Sequence, residues 1–167
     1  DVSLYKGGMP AQYGGRLSSV LDVKMDDGNN KEFKFQGGIG LIASRLKAEG
    51  PIVKDKGSFM VSFRRTYIDL FLRASPDSAI NGSTVNFYDI NAKANYKIDD
   101  KNTIYLSGYF GKDNIGVKDL FENNWGNVTT TLRLNHIFSD RLFSNTSLIY
   151  NNYNYTVRLL NDVTNFK

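Results

Sequence analysis

"YDINAKANYKI", residues 88–98, decides the fold class. Tyr88, Ile90, Ala92, Ala94, Tyr96 and Ile98 occupy one parity; Asp89, Asn91, Lys93, Asn95 and Lys97 occupy the other. A helix would scatter both sets around its circumference. A β-strand points successive side chains to opposite faces, so these residues make one apolar face and one wholly polar face. The same rhythm runs outward on both sides. Phe59, Val61 and Phe63 oppose Ser62 and Arg64 in 58–64, and Ile104, Leu106 and Phe110 share a face in 103–110. In 126–138, Val128, Leu132, Leu134 and Phe138 oppose Thr129, Thr131, Arg133 and Asn135. Residues 142–159 form a long run carrying Tyr150, Tyr153 and Tyr155. Helical periodicity is weak. Its best stretch, "TYIDLFLRA" (66–74), reads equally well as the extension of a strand.

The connections sort into two kinds. "VKDKGS" (53–58), "DDKN" (99–102) and "SDR" (139–141) are short polar turns, whereas 73–87 and 111–124 read as long polar loops. Tight turns at one end and excursions at the other are the asymmetry of an outer-membrane barrel, with short periplasmic turns and long extracellular loops. Strands of 11 residues and more also suit a tilted membrane-spanning strand, which needs about 9–11 residues with only every second one apolar. An all-β, antiparallel transmembrane barrel is the expected class. The alternative is a soluble β-sandwich, whose alternation has the same cause but whose strands usually run about 5–6 residues.

Composition narrows the function classes. At 41% hydrophobic and 13% aromatic, the 167-residue chain is too apolar for disorder. Its net charge of +4 is spread among acids and amides, without the basic stripe of a nucleic-acid binder. Absence of Cys removes disulfides, zinc ribbons and thiol catalysis together. No apolar run is long enough for a transmembrane helix, which leaves a membrane crossed by strands open.

"PAQYGGRLSSVLDVKMDDGN" (10–29) followed by "FKFQGGIGLIASRLKAEGPIVKDKGSFMVSFRRTY" (33–67) resembles TonB-dependent outer-membrane receptors, in particular the large Bacteroidetes-type group. The likeness is specific over 10–67 and fades after residue 110, where only the strand rhythm remains. It implies that Gly14 and Gly15 lead into the last strand of a plug domain, whose other strands would lie before residue 1. Leu17, Leu21, Val23 and Met25 would pack inside that plug. Residues 1–28 would be the end of the plug, with Asp26–Asn30 a polar link, and 29–167 about seven strands at the start of the barrel. "EGPI" would end the second barrel strand, "KDKGSF" open the third after a periplasmic turn, and "FYDINAKANY" (87–96) be the fourth. Whole receptors have about 22 strands, so the chain, ending at Asn165-Phe166-Lys167, is expected to be a piece of a longer protein. The implied activity is TonB-dependent import across the outer membrane of a Gram-negative bacterium. The implied partners are the TonB complex, outer-membrane lipid, a surface lipoprotein, and a transported small molecule, oligosaccharide or peptide. Rival readings are a soluble lectin-like ligand-binding module and a passive outer-membrane barrel.

Residues for covalent chemistry are sparse, and no catalytic, cofactor or metal site is expected. His136 has no second His or Cys to complete a metal site, and its mid-strand position does not suit a Ser–His–acid triad. "GGIG" (37–40) lacks the spacing and following helix of a dinucleotide loop. It reads instead as a place where the wall lies close to the plug. Asp26/Asp27 and Asp99/Asp100 read as solvated turn acids. Tyr88, Tyr96, Tyr105, Tyr109, Trp125, Tyr150, Tyr153 and Tyr155 read as interfacial girdles, with a stacking platform for a ring-bearing ligand as the alternative.

Overall fold

The structure, a computed structural model, describes residues 2–7, 11–13 and 18–160. Two antiparallel sheets account for the strands. The first is a hairpin of β1 (Val2–Lys6) and β2 (Ser19–Val23), with a short 3-10 turn at Ala11–Tyr13 between them. The second is a seven-stranded meander in sequence order: β3 (Lys34–Ile39), β4 (Ala43–Val53), β5 (Gly57–Thr66), β6 (Thr84–Lys97), β7 (Asn102–Val117), β8 (Phe121–Ser139) and β9 (Leu142–Leu159). Neither sheet closes, and β3 and β9 are its edges. "EGPI" falls at the end of this sheet's second strand, "KDKGSF" runs through the turn into the third, and "FYDINAKANY" lies in the fourth.

Two expectations are corrected. Residues 111–124 are not a long loop. β7 and β8 run through them and join in a turn at Lys118–Leu120, where Asp119 takes a φ of 59°, a conformation Asp tolerates better than most residues. Asn, Asp and Gly there disfavour strand locally, but an unbroken ladder from Asn102↔His136 to Val117↔Phe121 outweighs that preference. A partner of β2 also lies inside the chain, where no strand was expected: β1 pairs with it over Val2–Lys6. "VSLYK" is too short to announce itself by periodicity. The long connection that does exist, 67–83, folds into two short helices, α1 (Ile68–Arg73) and α2 (Ser78–Asn81). α1 resolves the ambiguity of 66–74 in favour of a helix.

The large sheet buries almost nothing against itself. Met60 is the only apolar side chain that is buried among the described residues. Cross-strand registers place apolar residues in rows on one face: Leu46–Phe63–Ile90–Phe110–Val128, then Ala48–Val61–Ala92–Gly108–Thr130–Tyr150, then Phe59–Ala94–Leu106–Leu132–Leu148. Along the third row Leu106, Leu132 and Leu148 are 50%, 42% and 73% exposed, with no layer over them among the described residues. Phe33 also crosses to this face. It lies over Gly50, where any Cβ would overlap its ring, and beside Phe59 at 6.0 Å between centroids.

The hairpin behaves alike. Leu21 and Val23 pair with Leu4 and Val2 and are exposed, because among the described residues the two-stranded hairpin has no second layer. Gly14, Gly15, Leu17 and Asn165-Phe166-Lys167 lie outside the described residues.

Candidate functional site

The opposite face of the large sheet is polar, and the segment between the sheets is fastened to it. Alternation puts Lys93 and Asn95 of β6, Tyr105 and Ser107 of β7, Thr131, Arg133 and Asn135 of β8, and Asn145 and Ser147 of β9 on this face. These side chains and residues 22–27 enclose an open cleft of about 960 Å³, to which Tyr13 of the hairpin also contributes. Tyr13 reaches it by donating to Asp22 at 3.0 Å.

The fastening is specific. Lys93 Nζ donates to the Met25 carbonyl at 2.8 Å and pairs with Asp27 Oδ1 at 2.6 Å. The Asp27 carbonyl accepts from Ser58 Oγ at 2.5 Å and from Asn95 Nδ2 at 3.0 Å, and Asn95 also donates to Ser58 Oγ at 2.7 Å. Asp26 faces Lys47 at 3.8 Å, and Asp55 N–H donates to the Asn30 carbonyl at 3.1 Å. The turn between Asp27 and Asn29 depends on Gly28. Its φ is +83°, and a Cβ there would run into the Phe59 carbonyl oxygen. Only glycine adopts this conformation and approaches that closely without strain. Met60 is buried in this same place.

Sequence reasoning read Asp26 and Asp27 as solvated turn acids. Both side chains are exposed, Asp27's by about half, but the Asp27 carboxylate also rests on a largely buried Lys93 and the Met25 and Asp27 carbonyls are docked on the wall. The signal available in the sequence was the polar parity of 88–98, which names Lys93 and Asn95 but not what they hold. A close backbone approach between linker and wall occurs at Gly28. Gly37 and Gly38 lie in the edge strand β3 beside the Leu46 and Arg45 side chains.

The aromatics expected as girdles divide between the faces. Tyr88, Tyr96 and Tyr150 share the apolar parity, whereas Tyr105, Tyr109, Trp125, Tyr153 and Tyr155 lie on the polar one. Trp125 and Tyr155 are direct cross-strand partners there, and Lys93 Nζ lies 5.9 Å from the Tyr105 ring centre. A girdle needs its rings on the apolar face, a condition that only Tyr88, Tyr96 and Tyr150 meet.

His136 sits near the turn end of β8. Its Nδ1 lies 2.6 Å from Asn102 Oδ1, and its ring meets Phe138 edge-on at 4.3 Å. Asn102 Nδ2 in turn donates to both Asp99 oxygens at 2.9 Å. Hydrogen bonds from the Asn102 side chain, then from the Lys101 N–H, hold the Asp99 carboxyl below its ordinary pKa; Lys97 does the same for Asp100. This group of residues orders a turn.

Comparison of the chain with family models, with curated proteins and with solved structures finds no match.

Proposed function

We propose that the chain is a section of a TonB-dependent outer-membrane receptor, in which β1 and β2 end the plug and β3–β9 form one flank of the barrel wall. One observation carries this reading: the two faces of a single sheet have opposite polarity. The polar face holds a linker and a water-accessible cleft. The other face presents an apolar band with no protein layer over it among the described residues. Its height is near that of a bilayer: eight residue steps from Ile90 to Ile98 at about 3.4 Å each, tilted about 40°, rise about 21 Å, against the roughly 25 Å apolar band of outer-membrane barrels. A sandwich would cover that face with a second sheet about 10 Å away, and among the described residues there is none. On this reading the protein does no covalent chemistry. Energy arrives when the TonB complex pulls on plug residues upstream of the linker, and the transported molecule passes between plug and wall.

The test is depth. Nitroxides are attached through Ala92→Cys and Asn91→Cys in protein reconstituted into vesicles. The label at 92 is expected to collide with oxygen dissolved in lipid and to be shielded from polar relaxants, and the label at 91 to show the reverse. Equal accessibility at the two positions would remove the membrane assignment.

A further inference from the structure

The outer, apolar-parity face changes character one row beyond Phe63–Ile90–Phe110–Val128. The next row is Arg65–Tyr88–Lys112–Gly126–Asn154. Arg65 and Lys112 are exposed. Neither belongs to any ion pair among the described residues. On the polar face, by contrast, three of the cations are paired: Arg64 with Asp89 at 2.7 Å, Lys93 with Asp27 and Lys47 with Glu49. Farther along the outer face come Asn86, Asn114, Asn124 and Thr156. The one acid there, Glu122, faces Arg158 at 3.6 Å.

Tyr88 stands between the two cations and packs on Phe110, ring centres 5.9 Å apart. Tyr67 closes the row on the other side, accepting from Ser44 Oγ, the cross-strand neighbour of Arg65, at 3.2 Å. Arg65 and Lys112 are two strands apart, about 10 Å at the usual interstrand spacing. A single tetrahedral anion placed between them would be within reach of both long side chains.

We propose that Arg65 and Lys112 form a binding site for the phosphate of a lipid headgroup at the extracellular edge of the apolar band. This rests on the membrane reading above. Three features select that occupant. The cations lie where hydrocarbon gives way to water, so a ligand held there has its tail against Ile90, Phe110 and Leu106. Arg offers a fork matched to phosphate oxygens and Lys a mobile point charge. Tyr67 and Tyr88 have the amphipathic form that settles at headgroup level.

The experiment measures lipid selectivity. The protein is reconstituted in phosphatidylcholine bilayers carrying trace spin-labelled phosphatidic acid or spin-labelled phosphatidylcholine, and the motionally restricted fraction of each is read by electron spin resonance. The native protein is expected to prefer phosphatidic acid by about threefold, with the preference falling in 1 M NaCl, where screening extends only about 3 Å. Arg65→Gln with Lys112→Gln should abolish the preference. Arg65→Lys with Lys112→Arg should keep it, as should Arg45→Gln on the other face. Equal restriction of both lipids by the native protein, or a preference unchanged in the double Gln variant, would overturn the site while leaving the membrane reading intact. No restricted lipid at all would overturn both. Inorganic phosphate at 10 mM should not displace the lipid; displacement would make this a general anion site and overturn the lipid assignment.

Discussion

Replacing Lys93 by Met tests whether the linker is clamped or only rests on the wall. Met keeps comparable length and contact with Tyr105 but removes the charge. Two interactions disappear: the 2.6 Å pair with Asp27 and the 2.8 Å hydrogen bond to the Met25 carbonyl. A hydrogen bond from a charged donor contributes about 1.5–3 kcal/mol. Lys93 is only 17% exposed but Asp27 is 54% exposed, so water takes back part of the ion-pair energy, and about 1.5 kcal/mol is the reasonable total. At about 1.4 kcal/mol per factor of ten, local opening of residues 24–28 should become about tenfold more frequent. Ser58, Asn95 and the Asp55 N–H still hold the linker, so it should open more often without coming away. Hydrogen exchange of peptides covering 24–30 reads this directly. A cycle with Asp27→Asn should then show that the two substitutions are not additive, by about 0.5–1 kcal/mol. Exchange altered less than twofold, or altered equally across the whole sheet, would mean that the contact holds nothing.

Ala92→Arg places a charge in the middle of the apolar band and should cost about 2–4 kcal/mol in a lipid-reconstituted unfolding titration. Asn91→Arg, one residue away on the polar face, should cost less than half as much. Gly28→Ala should destabilise by more than about 1 kcal/mol, because it combines a positive φ with an overlap at Phe59; a neutral result would show that the linker turn relaxes freely. Asp99 and Asp100 have depressed folded-state pKa values. Their support of the turn at 98–101 is therefore present above the unfolded carboxylate pKa of about 3.9 and is lost as pH falls through the lower folded values. Exchange of the Lys101 and Asn102 amides, which donate to Asp99 at 2.8 Å, should be protected at neutral pH and at pH 5 alike, after correction for intrinsic rates. That protection should disappear only in stronger acid, and Asp99→Ala should remove it at every pH.

Much of this protein was decided by sequence acting locally. Alternation is a property of neighbouring residues, so "YDINAKANYKI" by itself determined a strand, two faces of opposite polarity, and the membership of Lys93 and Asn95 in the polar one. The short turns at 53–58, 99–102 and 139–141 were legible for the same reason, since turn chemistry lies within a few residues. Other features needed partners far away in the chain. Polar residues at 111–124 read as loop because parity alone does not say where a ladder stops, and β7 and β8 settled that by pairing with each other. β1 became a strand because β2 lay beside it. The division of eight aromatics between two faces required the registers of β6–β9. Asp27 became part of a docked linker only because residues 31 and 68 positions later, Ser58 and Asn95, arrive beside it with Lys93. The apolar face follows the same division: its composition was written in the sequence, but its exposure among the described residues is a property of how the strands assembled.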